Sequence, residues 1–493
     1  MQSLPDDEDI LTRLRKPTEQ FFTVLSILSA PLMVAFLAAL FLWIPEQTRE
    51  IYRVYGRDLA LVYGGDLAND RLVLVLGTLG TATGAGFGQI ECGLLGLVLA
   101  SVFNWQLART LSLKCAQASI GDANMRGVAL RWLPRICGAL IPAGAGNGLL
   151  VASREIKAIP FEVTASASVP KQDEASLILA IVGVLLLAFC VVLVVGTFLR
   201  TFGKPHKYAS SRNWLFSKPV LAVSVVVTLA SVLLFSAPLL GETSVLIAQV
   251  LGTPAIFFWF MIQLSYYASF LSAVHLRYGV PVLPILAAYV LGIAWSDIND
   301  NHFVALERSP APGAQPTPPQ PLLSEAFGKW YEAREDRAAY TKAGKPYPVF
   351  LVSAAGGGLY AAEFAATALA RLQDGCPGFA QHTFAISAVS GGGLGSSLFS
   401  TLVANEKQVK APDMTGLDPC DIGKAKPEAG NLELRTRDYL RGDFLAPIAA
   451  AGLFPDFLQR FLPFPLAFLD RSRAFEASLD ARWKNMNKEP LAK

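Results

Sequence analysis

Ser390 stands at the front of a glycine triplet, in "FAISAVSGGGLGSSLFSTLVA" from Phe384 to Ala404. A short apolar run leads straight into it, and small residues flank it at Ala388, Gly391 and Gly392. This is the shape of a nucleophile elbow, G-x-S-x-G, with Ala388 in place of the first glycine. A serine on a sharp strand-to-helix turn is held in a strained backbone conformation, so only small residues fit beside it. The helix expected from about Gly393 to Ala404 aims its N-terminal dipole at the serine oxygen, which eases charge development there. The plainer role for Ser390 is that of a helix N-cap, for which serine is favoured.

The same shape occurs about thirty residues earlier, in "FLVSAAGGGLYAAEFAATALARL" from Phe350 to Leu372. Gly356, Gly358 and Ala361 fit G-x-G-x-x-A between an expected strand (Val349 to Val352) and a helix, with Asp374 about eighteen residues on. Taken alone, that is a dinucleotide fingerprint. The free amides at such a turn suit an oxyanion equally well. A tight turn with no ligand is the third reading. A nucleotide-binding unit has no need of the second elbow, so the two turns together favour the catalytic reading.

The pair "AAGGGLYAAEFAATALARL" and "ISAVSGGGLGSSLF" resembles the patatin-like phospholipase domain, in particular bacterial members with a multi-span membrane region ahead of it. The resemblance covers about Pro346 to the C-terminus. It implies an α/β hydrolase domain, with Ser390 as nucleophile and Gly356, Gly357 and Gly358 as oxyanion-hole backbone. Gly391 or Gly392 would lend a further amide. It implies a lipid acyl ester of the bilayer as substrate and no metal or organic cofactor. Two positions depart from the family pattern: Tyr360 stands where a basic residue is usual, and Ala388 where the elbow has glycine.

The family's base is an aspartate in a DG[GA] motif downstream of the serine, and no Asp-Gly follows Ser390. Asp374-Gly375 precedes it, and Asp443, Asp456 and Asp470 lie in other contexts. His382 begins the strand that ends at Ser390, at its far end. The expectation is therefore a domain truncated before its aspartate, or an inactive remnant. The non-enzymatic alternative is a membrane protein whose lipase-like domain only binds lipid.

The elements that must carry these turns are mostly hydrophobic. Charged residues make up 16% of the 493, against about 25% in soluble domains, which points to an integral membrane protein. "FFTVLSILSAPLMVAFLAALFLWI" (Phe21 to Ile44) is long enough to cross hydrocarbon about 30 Å thick. Further spans are expected in the second half of Leu72 to Trp105, then at Leu133 to Ala152, Leu177 to Phe198, Pro219 to Leu240, Val245 to Val274 and Pro281 to Trp295, about six to eight in all. Residues 1–20 read as a cytoplasmic polar tail, 21–298 as the multi-span domain, 299–345 as a Pro-rich linker and connector, and 346–493 as the hydrolase-like domain. The most basic connection, Arg200 to Lys218, belongs in the cytoplasm. The expected location is a bacterial inner membrane.

A net charge of +3 is too small to argue for a nucleic-acid partner. Glu91, inside an apolar stretch, is either a functional carboxylate or an interfacial one. Asp443 to Asp470 is strongly apolar, and reads as hydrolase core or as a membrane-facing or acyl-chain-binding element. Cys376 and Cys420 would pair only in an oxidising compartment.

Overall fold

The computed structural model describes residues 25, 28–63, 85–117, 123–158, 172–201, 216–302, 322–405 and 430–488. The expected polar tail at 1–20, the proline-rich stretch at 309–321 and Cys420 lie outside them. The chain is predominantly helical and divides into two units. One comprises Met1–Phe303 with Asp443–Ser478, the other Val304–Gly442 with Leu479–Lys493.

The first unit is a helix bundle. In chain order its helices are α1 (Leu28–Trp43), α2 (Glu46–Tyr63), α3 (Ala85–Gln117), α4 (Ala123–Ala158), α5 (Gln172–Thr201), α6 (Lys218–Leu234), α7 (Glu242–Tyr278) and α8 (Val282–Ser296). Four carry stretches long and apolar enough to span a membrane: Gly88–Ser112, Trp132–Ile156, Asp173–Val195 and Glu242–His275. α1 and α2 meet at a 62° bend and pass the same test only as a pair; α6 and α8 are apolar but shorter.

Small residues set the spacing of the helices. A Cβ on Gly148 would lie 2.3 Å from the Leu42 carbonyl oxygen, and one on Gly144 would lie 2.5 Å from the Ala39 backbone. α4 therefore packs backbone to backbone on α1 through a G-x-x-x-G face, as small residues allow in membranes. On its other side, Ser153 and Ser176 each donate to the other's carbonyl, at 2.9 and 2.8 Å, tying α4 to α5. Asn104 of α3 donates to the Pro31 and Cys137 carbonyls, at 3.2 and 2.9 Å, so one buried amide joins three helices. α7 is broken at Gly252 (φ +75), two residues before Pro254.

The second unit holds β1 (Phe350–Ala354), α11 (Gly358–Gly375), β2 (Thr383–Ala388) and α12 (Gly391–Asn405), preceded by α9 (Leu323–Glu332) and α10 (Arg337–Lys342). β1 and β2 pair in parallel, from Phe350 opposite Thr383 to Ala354 opposite Ala388. α12 packs on this strand pair and α11 packs on α12, while Leu351, Ser353, Ala385 and Ser387 are exposed. α13 (Asn431–Leu440) packs on α11. Its N-terminal amides at Leu432 and Glu433 are capped from outside the helix by Asp374, at 3.1 and 2.8 Å.

The sequence reading runs the hydrolase-like domain unbroken from 346 to 493, and the fold divides it otherwise. Asp443–Ser478 belongs to the bundle, including α14 (Leu445–Ala451) and the start of α15 (Ser472–Lys488). The reason lies in its aromatic and polar contacts. Phe454 packs on Phe235, Trp259 and Phe260, and Phe457 stacks edge-on against Phe260. Asp443 accepts from Gln89 at 3.1 Å, and its carbonyl accepts from Gln249 at 2.8 Å. The apolar run thus covers the bundle's helices rather than serving as core of the strand-bearing unit.

Candidate functional site

β1 and β2 end side by side, so the turns that follow them meet. A Cβ placed on Gly356 would lie 3.3 Å from the Ser390 Cβ and 3.4 Å from the Val389 carbonyl oxygen. The Val389 amide donates to the Ala354 carbonyl at 3.1 Å, which extends the pairing one residue past β2. The chain must then turn sharply, and Ser390 takes the turn at φ +52. Among the described residues only one other non-glycine, Asp297 at the C-cap of α8, has a positive φ. Such a conformation costs an L-residue roughly 1–2 kcal/mol and is held by what surrounds it.

The surroundings are glycine. A Cβ on Gly391 would fall 1.8 Å from the Gly358 carbonyl oxygen, and one on Gly392 would fall 2.5 Å from that of Ala355. Neither position admits any side chain, so the GGG run after Ser390 lets α12 start directly beneath the first turn. That first turn is itself bent through Gly357 (φ +150) and Gly358 (φ +63). The structure therefore brings together every sequence-selected site residue: Gly356, Gly357 and Gly358 on one turn, and Ser390 and Gly391 on the next.

Ser390 is exposed. Its carbonyl accepts from the Leu394 amide at 3.1 Å, which is the backbone role of an N-cap. An N-cap residue ordinarily sits in the β region with its side-chain oxygen turned onto the helix amides. Ser390 has a left-handed φ instead, and among the described residues its hydroxyl makes no hydrogen bond. Among those residues the amides of Gly356 and Gly357 also donate to nothing. The site thus offers a free hydroxyl beside free amide donors.

No general base stands against Ser390 among the described residues. Asp374 closes the far end of α11 and is spent on capping α13. That also removes it from the ribose-binding place of a dinucleotide site, which lies at the end of the second strand. Asp443, Asp456 and Asp470 belong to the bundle unit. Asp443 caps α14 through the amides of Leu445 and Ala446, both at 3.0 Å. Asp456 is buried and accepts from Arg460 and Arg471, at 3.2 and 2.5 Å. Asp470 accepts from Ser472 and lies 2.7 Å from His302 Nδ1.

His382 lies, as expected, at the opposite end of β2 from Ser390, and it is fully buried. Its Nδ1 is 3.0 Å from the Pro348 carbonyl oxygen and its Nε2 is 3.1 Å from Asp336 Oδ2. Tyr347 stacks on its ring and donates to Asp336 at 3.0 Å. Burial, reinforced by that bond to Asp336, pushes the Tyr347 phenol above its ordinary range. This cluster pins α10 and the start of β1 to β2. Sequence reasoning missed it because Asp336, Tyr347 and His382 share no spacing; only the strand pairing brings them together.

No family model, curated protein or solved structure matches the chain.

Proposed function

We propose that this chain is a membrane-anchored serine acyl hydrolase of the patatin-like kind, acting on an acyl ester of a lipid, and that its membrane is a bacterial inner membrane. Ser390 Oγ attacks the ester carbonyl, and the amides of Gly356, Gly357, Gly358 and Gly391 receive the negative charge that develops on the carbonyl oxygen. The acyl group passes to Ser390, the alcohol leaves, and water releases the acid. The observation that carries this reading is the strained turn at Ser390 (φ +52), with its hydroxyl unspent and a glycine turn packed against it. A helix cap or a structural turn requires neither.

A second reading has its own support: among the described residues nothing stands beside Ser390 to take its proton. A serine without a base is a weak nucleophile, and such a domain would bind lipid without turning it over. A fluorophosphonate probe separates the two. The catalytic reading expects covalent labelling of the full chain and none of Ser390→Ala. An unlabelled wild-type chain, in a preparation where a control hydrolase labels fully, supports the binding domain instead.

A further inference from the structure

The helix bundle forms a partly open cavity of about 230 Å³ between α1, α2, α3, α4, α5 and α7. Its walls are hydrocarbon and ring, among them Phe41, Leu97, Leu149, Leu179, Val182 and Phe258. For scale, an apolar cavity of about 150 Å³ stays dry and takes up benzene; this one has room for a longer hydrocarbon. Most polar groups on its wall are already spent on the protein. Thr48 donates to the Phe41 carbonyl at 2.9 Å, Tyr52 to the Leu42 carbonyl at 3.1 Å, and Tyr55 to Gln89 at 3.4 Å.

Glu91 is different. It lines the same cavity and is partly buried, yet it pairs with no cation among the described residues. Two arginines of the neighbouring helix α2 are committed elsewhere. Arg49 lies 3.0 Å from Glu155, and Arg53 lies 2.6 Å from Glu50 and 3.6 Å from Glu155. Glu91 sits three residues into the span Gly88–Ser112, about 4.5 Å along the helix axis at 1.5 Å per residue. That places it near one end of the apolar stretch rather than at its middle. A carboxylate on an apolar wall is costly without a counter-charge.

We propose that this cavity binds a single hydrocarbon chain ending in a protonated amine. The chain fills the space between Leu97, Leu179 and Phe258, and the ammonium group pairs with Glu91. An anionic head would meet Glu91 as a like charge, and a neutral one would leave it unpaired. The site is separate from Ser390, and the proposal does not depend on the hydrolase reading.

The test uses the full chain in phosphatidylcholine nanodiscs with two diazirine-bearing probes, dodecylamine and dodecanol, and maps the crosslinked peptides. The amine should label peptides of α3 and α7 at about tenfold lower concentration than the alcohol. Glu91→Gln should bring the amine to the alcohol's level, and Leu94→Trp, which narrows the cavity, should weaken both. Equal labelling of the wild-type chain by the two probes overturns the proposal, as does crosslinking confined to peptides away from the cavity. The comparison of probes needs only the wild-type chain, so it stands even if Glu91→Gln fails to fold.

Discussion

Ser390 carries its strain because Gly391 and Gly392 let the chain pass under the first turn with nothing larger than hydrogen. Gly391→Ala should therefore act on both fold and chemistry. The added methyl meets a carbonyl oxygen at 1.8 Å, and the turn must open. Overpacking of this kind costs about 1–3 kcal/mol. Thermal unfolding should show that loss, and fluorophosphonate labelling should fall with it. Retained stability and labelling would mean the turns do not pack as closely as described. Asp470 allows a prediction about pH. Burial alone would raise its pKa, but the Ser472 hydroxyl and amide, with His302, outweigh burial and hold it below the ordinary carboxylate value. A depressed folded-state pKa stabilises above the unfolded value, near 3.9, and that stability is lost as pH falls through the folded value. Proteolysis of 443–478 should accelerate below about pH 4, and Asp470→Asn should remove that acid step while weakening the segment at neutral pH.

At the scale of elements, two contacts lie between helices rather than within them. α13 has Gly430 at its N-cap position, and that glycine has no side chain to cap it. Asp374 supplies the missing acceptor from α11. Removing a capping carboxylate costs about 0.5–2 kcal/mol, so Asp374→Ala should speed amide exchange across 431–440 while leaving α12 protected. Uniform exchange through both helices would mean the cap supports the whole unit. In the bundle, Gly148 has Leu42 O and the Tyr52 ring against it. Gly148→Leu should force α4 off α1 and lower the melting temperature of the full chain in detergent. The same change at Gly88, where a Cβ would meet nothing within 4 Å, should be nearly silent.

For the molecule as a whole, the question is which side of the membrane the chain reaches after α8. With α6 and α8 counted as crossings, α1, α3, α4, α5, α6, α7 and α8 alternate in direction. The basic stretch 113–131 between the spans of α3 and α4, and the basic connection 202–217 between α5 and α6, then fall on the side of the N-terminal tail. Lys and Arg collect on cytoplasmic connections, so a count of seven crossings predicts that the chain beyond α8 lies outside. Cys376 is disulfide-bonded, as an oxidising compartment permits. A phosphatase fused after Asp300 should be active and a fluorescent protein there dark, with the reverse after Lys207. Fluorescence at Asp300 would mean an even number of crossings.

Four of the six to eight expected apolar spans, the two glycine turns and the placement of His382 away from Ser390 were legible in the sequence, because each rests on local rules. Hydrocarbon thickness sets a minimum run of apolar residues, and a sharp turn admits only small ones. The rise along the strand, about 3.3 Å per residue, sends His382 to the far end from Ser390. What required the fold was every decision that depends on which elements meet. The unspent hydroxyl of Ser390, the commitment of Asp374 to α13, and the burial of the 443–478 run against the bundle are properties of partners distant in sequence. The same is true of Glu91: its residue type and position were plain in the chain. That it lines an apolar cavity and pairs with no cation among the described residues was decided only by the packing of six helices around that cavity, since spacing along one helix carries no information about what the others bring.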